Sequence, residues 1–429
     1  MPALQRDAAD RPLVARALRH AGPVAVASAV ATLANVGVTL VVARSLTTRG
    51  YGAFVELIAV FLVLSMPGSA IQVGVIRRVA AWESAGLDEL VVPWVNRWYV
   101  RLLVVVTAGV IVTAAVQAWA AKQLSLPGSA SLVVMVAAGA AWGVLSVDRG
   151  LIQARRSYPL LAGNLLVEGI TKTVAVIGLA AAGFGVAGAA GGVLVAEVAA
   201  VLHARYAVYR TASQPIAPGP PVDLPTRRHL AGDVASALSS LALLAVLQNF
   251  DVVVLGREAP QNTGTYAAIS VAAKSLAFAA VALSLYLLPE AAIRHRRGGH
   301  ALRPLVTTLT LLSVPAGGLL LLALAVPRQT LDVVFGPRLA GAAGSFGTLV
   351  IAMVCFAVTV VLTNYLLGAG WRWVVGTLVI AAGIGSWLAA RAGGAIAATA
   401  RVDLEVQVGL AVVLAVLFAA AVLRRPETA

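Results

Sequence analysis

The chain consists largely of apolar runs that are long enough to cross a lipid bilayer. A transmembrane helix needs roughly 20 apolar residues, and twelve such runs fill most of the 429 residues. Hydrophobic residues make up 60% of the chain and charged residues only 12%, whereas soluble domains are about a quarter charged. The sequence therefore predicts an all-α polytopic membrane protein with little room for a soluble domain.

The basic residues are divided unevenly between the two ends of these spans. With a cytoplasmic N-terminus, 22 Lys and Arg fall in inside segments and eight in outside segments. Cytoplasmic loops carry an excess of Lys and Arg, so both termini are predicted to be cytoplasmic. The net charge of +14 is spread between the spans rather than gathered in one patch, so no nucleic-acid partner is predicted. The predicted spans are Ala21–Ala43, Ala53–Ile76, Val100–Ala121, Ser129–Val147, Leu160–Ala181, Val186–Tyr206, Val234–Leu255, Tyr266–Leu288, Leu305–Val326, Phe346–Leu367, Trp373–Ala390 and Val406–Leu423.

A proline-rich segment separates two halves of the chain that carry similar motifs. Arg44 and Tyr51 of the first half recur as Arg257 and Tyr266 of the second. Six spans per half is an even number, so the two halves enter the membrane in the same orientation, as in transporters built from parallel repeats. We predict an N-terminal six-helix lobe at residues 1–210, a cytoplasmic proline-rich connector at 211–230 and a C-terminal six-helix lobe at 231–429. Two like-oriented lobes of this kind are expected to surround a central cavity.

Several ionisable residues lie inside predicted spans. A charge at the centre of a transmembrane helix costs about 2.5 to 3.5 kcal/mol on insertion scales, and such residues usually face a partner or a water-filled cavity. These positions are therefore candidates for function. They are Glu56, Glu168, Lys172, Glu197, Asp251 and Lys274.

Structural and functional interpretations are both open for these residues. Glu168 and Lys172 are four residues apart, so they share a helix face and could simply neutralise each other. Glu56 and Asp251 lie near the predicted outer ends of their spans and could reach the membrane interface. Lys274 has no acidic residue at helical spacing in its own span, so its charge needs either a carboxylate on another helix or an anionic ligand.

Motifs of soluble catalysis and cofactor binding are missing from the sequence. Residues 183–188 read G-x-G-x-x-G, but a dinucleotide site needs this turn in a soluble βαβ unit, whereas here it joins two predicted spans. The five histidines have no metal-ligand spacing, and the single cysteine, Cys355, cannot form an intrachain disulfide. We therefore predict a protein that is not an enzyme and has no catalytic site, metal or cofactor.

Four motifs occur in order along the chain, at Val41–Phe54, Ile71–Arg78, Gly183–Glu197 and Asn249–Ala268. Together with twelve spans in two like-oriented halves, they resemble the oligosaccharide flippases of the multidrug/oligosaccharidyl-lipid/polysaccharide (MOP) exporter superfamily. The resemblance implies a transporter that moves a polyprenyl-pyrophosphate-linked oligosaccharide from the cytoplasmic to the outer leaflet by alternating access, for polysaccharide biosynthesis.

The resemblance also implies a hydrated central cavity with cations for the pyrophosphate of the cargo. Lys172 and Lys274, one in each lobe, suit that need. The full set of candidate substrate-binding residues is Lys274, Lys172, Glu168, Asp251, Asn249, Glu56 and Arg44.

Other functions remain open at this point. Lipid II flippases of the same superfamily usually have two more helices, and cation-exporting multidrug members rely on buried carboxylates, including one in span ten, where Phe346–Leu367 has none. A membrane-embedded glycosyltransferase or polymerase, or a scaffold in a polysaccharide assembly complex, would represent a different class. The expected location is the bacterial cytoplasmic (inner) membrane. The expected partners are the lipid-linked glycan, membrane lipids and polysaccharide assembly proteins.

Overall fold

The computed structural model describes residues 23–211 (except 25, 29, 125, 127 and 156), 227–296, 302–368 and 371–423. All regular secondary structure in these residues is helical, which confirms the predicted all-α class. The longer helices are α1 (Val26–Ser45), α2 (Thr48–Ser84), α3 (Val91–Gln123), α4 (Ala130–Ala154), α5 (Tyr158–Leu179), α6 (Gly185–Thr211), α7 (Arg227–Glu258), α8 (Pro260–Arg296), α9 (Leu302–Ala325), α11 (Phe346–Gly368), α12 (Val374–Arg391) and α13 (Ile396–Leu423), with the short α10 (Pro327–Phe335) after α9.

Ten helical stretches of the described chain are long and apolar enough to cross a membrane. One of them, Tyr158–Arg210, contains both α5 and α6 and hence two of the predicted spans. A multi-pass membrane protein is therefore supported by the structure. Between α9 and α11, α10 and a 3-10 segment at Pro337–Ser345 add an irregular connection that the apolar pattern did not predict.

Several helices extend beyond the apolar runs that predicted them. The predicted fourth span stops at Val147, but α4 continues to Ala154 and carries Arg149 into the protein interior. The predicted last span starts at Val406, but α13 starts ten residues earlier and includes Asp403. An apolar window marks the lipid-facing part of a helix and misses the turns where charged residues are covered by neighbouring helices.

The turn between α5 and α6 lies at the start of the 183–188 glycine motif that was predicted to join two spans. The chain leaves α5 through a π-helical segment, Ala180–Phe184, and reverses at Gly183 and Gly185, whose φ angles are +86° and +57°. These left-handed conformations favour glycine. Gly192 lies within α6, where a Cβ would meet the backbone of Val176 at 2.5 Å, so it permits close packing of α6 on α5.

The contacts of the chain define two compact units. Unit 1 takes its described residues from Met1–Val42, Pro67–Gln117 and Ala130–Leu224, and unit 2 from Ala43–Met66, Ala118–Ser129 and Pro225–Ala429. Most of the predicted connector lies outside the described residues, although its last four residues already belong to α7. The division into two lobes at residues 211–230 therefore stays a prediction.

Candidate functional site

Unit 1 contains a network of buried charged residues on α4, α5 and α6. Glu168 is at its centre: one carboxylate oxygen accepts a hydrogen bond from Arg149 Nη2 at 2.7 Å, and the other accepts one from Lys172 Nζ at 2.8 Å. Lys172 Nζ also lies 3.5 Å from the carboxylate of Glu197. The predicted pairing of Glu168 with Lys172 is present, and the pair belongs to a larger network of two cations and two carboxylates.

An asparagine fixes the position of this network. Asn164 accepts a hydrogen bond from Arg149 Nε at 2.7 Å through its side-chain oxygen, and its amide nitrogen donates to the carbonyl of Ala200 at 2.8 Å. Arg149 is thus bonded to α5 by two hydrogen bonds, and α5 is bonded to α6. Since Arg149 and Asn164 are almost fully buried, the geometry of the network depends on helix packing.

Unit 2 contains a second buried network, centred on Asp251 of α7. The carboxylate of Asp251 accepts hydrogen bonds from Lys274 Nζ at 3.0 Å and from the hydroxyl groups of Tyr266 and Ser270 at 2.9 and 3.4 Å. Asp251 is only 1% exposed, so its side chain is covered by the protein. Lys274, which lacked an acidic neighbour in its own helix, finds one on α7.

A further carboxylate on α13 has incomplete hydrogen bonding. Asp403 Oδ1 accepts a hydrogen bond from Gln407 Nε2 at 3.1 Å, and that amide also donates to the carbonyl of Leu247 at 3.0 Å. Asp403 Oδ2 and Gln407 Oε1 are buried and have no hydrogen-bond partner among the described residues. Unpaired buried acceptors are costly, so this pair of oxygens is an unusual feature of the unit 2 core.

The remaining sequence candidates have different surroundings. Asn249 is buried in α7 and donates to the carbonyl of Ala245 in its own helix at 2.8 Å. Glu56 is also buried; its carboxyl group packs on Gly256, and its Oε2 has no hydrogen-bond partner among the described residues. Arg44 is exposed, and its Nη2 donates to the carbonyl of Val333 at 2.6 Å.

The two networks differ in charge balance. In unit 1, the two cations Arg149 and Lys172 offset two carboxylates. In unit 2, the single lysine of the network, Lys274, is near two carboxylates, Asp251 and Asp403. In a membrane helix, such groups are retained when they face partners or a pathway for an ion or substrate. The structure brings together Glu168 with Lys172 and Asp251 with Lys274.

Sequence reasoning missed several residues of the two networks, including Ser270. Arg149 was counted among the cytoplasmic loop residues, and Asn164, Asp403 and Gln407 were not singled out. The spacing of Asp403 and Gln407, four residues apart at the start of the last apolar run, was a detectable sign of a polar face on one helix. No comparable pattern marked Arg149, whose partners lie 15 and 19 residues further along the chain.

Comparison with known proteins identifies the fold. No protein-family model matches the chain, and no curated protein matches it. A solved multidrug resistance MATE family transporter of the MOP superfamily, in an inward-facing conformation, superposes with a TM-score of 0.68 at 14% identity, covering 93% of this chain and 96% of that one. The outward-facing structure of a multidrug resistance MATE family transporter of that superfamily gives a TM-score of 0.54 at 15% identity, covering 96% of each chain.

A MOP superfamily transporter from Pyrococcus furiosus gives a TM-score of 0.55 at 14% identity, covering 95% of this chain and 94% of that one. These matches extend over nearly the whole of each chain. At such low sequence identity, the matches show only a similarity of fold. The chain has the fold of MOP superfamily transporters.

Proposed function

We propose that this protein is a membrane transporter that moves a polyprenyl-pyrophosphate-linked oligosaccharide from the cytoplasmic to the outer leaflet of a bacterial cytoplasmic membrane by alternating access. The observation that carries the proposal is the pair of buried ionic networks in long helices of a multi-pass membrane protein, within a fold that solved transporters share. The sequence resemblance to oligosaccharide flippases supplies the class of cargo. Membrane lipids and polysaccharide assembly proteins are the partners that this role implies.

Buried charge supports transport because a purely structural bundle gains little from it. Replacing a buried ion pair by apolar residues is often neutral or stabilising, so apolar side chains could hold these helices together equally well. Charged groups that can change partners, by contrast, are useful to a transporter that binds and releases a charged cargo. The networks around Glu168 and Asp251 provide such groups in both units.

The ion pairs of the two lysines limit how an anionic cargo could bind to them. Lys274 is bonded to Asp251, and Lys172 lies between Glu168 and Glu197. A pyrophosphate can therefore bind either lysine only after the ion pair between that lysine and its carboxylate has broken. Cargo binding on this proposal is an exchange of ion-pair partners rather than the filling of a vacant cationic site.

A second candidate, export of cationic compounds, is favoured by the extra carboxylate in unit 2. Asp403 has an unpartnered oxygen, and the lysine nearest to it is already bonded to Asp251. An excess of buried carboxylate suits a cationic cargo better than a phosphate. The multidrug MATE transporters that share the fold make this the main competitor.

Reconstitution into liposomes separates the two cargo classes. On our proposal, the protein moves a fluorescent polyprenyl-pyrophosphate oligosaccharide across the bilayer, measured as protection from a membrane-impermeant glycosidase, and does not export a cationic dye. Lys274→Gln is expected to reduce this movement about tenfold or more per folded molecule, because a hydrogen bond to a charged group is worth about 1.5 to 3 kcal/mol. Lys122→Gln is the matched control, since Lys122 lies at the end of α3 outside both networks.

Dye export without glycan movement would replace the proposal by the second candidate. Growth of the glycan chain instead of its movement would indicate a polymerase.

A further inference from the structure

Two arginines of unit 2 cap each other's helix ends. Arg338 lies just after α10, and its Nη2 donates to the carbonyl oxygens of Ala43, Arg44 and Leu46 at 3.4, 3.3 and 2.9 Å. These carbonyls lie at the C-terminal end of α1 and in the turn to α2. In return, Arg44 Nη2 donates to the carbonyl of Val333, in the last turn of α10, at 2.6 Å. The two segments are about 290 residues apart in sequence, and each supplies one arginine that donates to backbone carbonyls of the other.

This arrangement suits the electrostatics of helix ends. The last carbonyls of a helix have no partner within the helix, and they carry the negative end of the helix dipole. Each guanidinium group therefore supplies hydrogen bonds and positive charge where the other segment lacks them. Neither Arg44 nor Arg338 forms an ion pair with a carboxylate in the part of the chain that the structure describes.

Beneath the arginines, the start of α2 packs closely against the start of α8. A Cβ at Gly264 would collide with the carbonyl oxygen of Thr48, and a Cβ at Gly52 would lie 2.9 Å from the Cβ of Thr263. Thr263 is consequently 1% exposed. This closeness leaves no space for water between the two helices at this level.

An aromatic contact completes the closed region. The rings of Tyr51 and Phe335 lie 6.3 Å apart between centroids, and both side chains are almost fully buried. The α1–α2 turn is thus attached to α10 by an apolar contact inside and by two arginines at the surface.

The surface part of the contact can break at low cost. Both arginines are exposed, and both donate to neutral backbone carbonyls, so water can replace either partner when the segments separate. The buried pairs of Glu168 and Asp251 are different, because separation would leave charges without partners inside the protein. Charge-assisted contacts at an exposed site favour one conformation without locking it.

We propose that the α1–α2 turn and the segment Pro327–Ser345 form a reversible latch that closes one end of unit 2 and opens once in each transport cycle. The proposal rests on the transporter function proposed above but not on the identity of the cargo. The distribution of basic residues predicts that this end faces the outside, so opening of the latch is the step that would release cargo there.

The latch is tested by the accessibility of a buried position. Thr263→Cys is introduced into a Cys355→Ala background, and the purified full-length protein in detergent is treated with a maleimide. Arg338→Ala is expected to speed labelling about fivefold, the effect of losing charge-assisted hydrogen bonds at a partly exposed site. Arg328→Ala is the matched control, because Arg328 is exposed on α10 in the same segment and takes part in none of the hydrogen bonds between the two sides of the latch, and it should leave the rate unchanged.

Arg44→Ala removes the opposite half of the latch and is expected to act in the same direction as Arg338→Ala. Size-exclusion profiles ensure that only folded protein is compared. Labelling rates within twofold of the parent in both folded arginine variants would overturn the proposal, as would an equal increase in Arg328→Ala.

A cleavable cross-link tests whether the latch must open. Ser45→Cys with Val333→Cys, in the same background, places one exposed thiol on each side of the latch, and a bis-methanethiosulfonate reagent joins the two thiols through disulfides. Cross-linked protein is expected to lose liposomal transport and to regain it on reduction, and full transport by the cross-linked form would refute a latch that opens in each cycle. A reduced form that moves no lipid-linked glycan would count against the proposed cargo, while the labelling test, which needs no cargo, still decides on the latch.

Discussion

Neutralising Glu168 tests whether the unit 1 network is held together by charge. Glu168→Gln keeps the shape of the side chain but removes its negative charge and one of the two oxygens that accept from Arg149 and Lys172, at 2.7 and 2.8 Å. Breaking a buried pair by removing one partner typically costs about 3 to 5 kcal/mol, because a charge is left unpaired.

The expected cost is near the lower end of that range. Arg149 keeps its hydrogen bond to Asn164, and Lys172 keeps its contact with Glu197 at 3.5 Å. We therefore expect Glu168→Gln to destabilise the protein by about 3 kcal/mol. Thermal unfolding in detergent, followed by tryptophan fluorescence, measures the change as a lower unfolding midpoint and a lower yield of monodisperse protein.

A double variant separates charge from packing. Glu168→Gln with Lys172→Met removes the carboxylate charge together with one of the two cations that the single substitution leaves without it. Its loss of stability should be smaller than the sum of the single effects, with a coupling of about 1 to 3 kcal/mol, as expected for residues in direct contact. A single Glu168→Gln variant that unfolds within about 0.5 kcal/mol of the parent, the range of surface substitutions, would refute the argument that this network is charge-compensated.

Three further predictions follow from other parts of the chain. Lys274→Gln should lower the yield of folded protein by leaving the Asp251 carboxylate unpaired, and Asp251→Asn in the same chain should restore the yield; transport at parental level by the folded double variant would mean that the lysine serves only as a partner for the carboxylate. Gly192→Ala should destabilise the protein by about 1 to 3 kcal/mol through overpacking against α5, whereas Gly191→Ala, with only ordinary contacts, should change thermal stability little; equal effects would contradict the close helix approach. A cysteine introduced at Ala217 in the predicted cytoplasmic connector should resist membrane-impermeant reagents in intact spheroplasts, and labelling there would reverse the predicted orientation.

The sequence alone determined the class of the protein. Apolar runs of membrane-spanning length leave few alternatives to helices, because backbone groups in lipid must form their hydrogen bonds within the segment. The same pattern located the helices, including the pair joined at Gly183, where a literal dinucleotide-binding motif is a helix turn. The local spacing of Glu168 and Lys172 was also enough to predict their pairing.

Only the tertiary structure decided which charges meet across helices. The sequence predicted that Lys274 pairs either with a carboxylate on another helix or with a ligand. The packing of α8 against α7 brings Asp251 to Lys274. Arg149 and Asp403 lay beyond the ends of the apolar runs, and they are buried because the helices extend further than the hydrophobic pattern. Hydrophobicity records which parts of a helix face lipid, whereas the partners of a buried charge depend on contacts between residues far apart in sequence. For the same reason, no local pattern could have revealed that Arg338 caps a helix that ends almost 300 residues earlier.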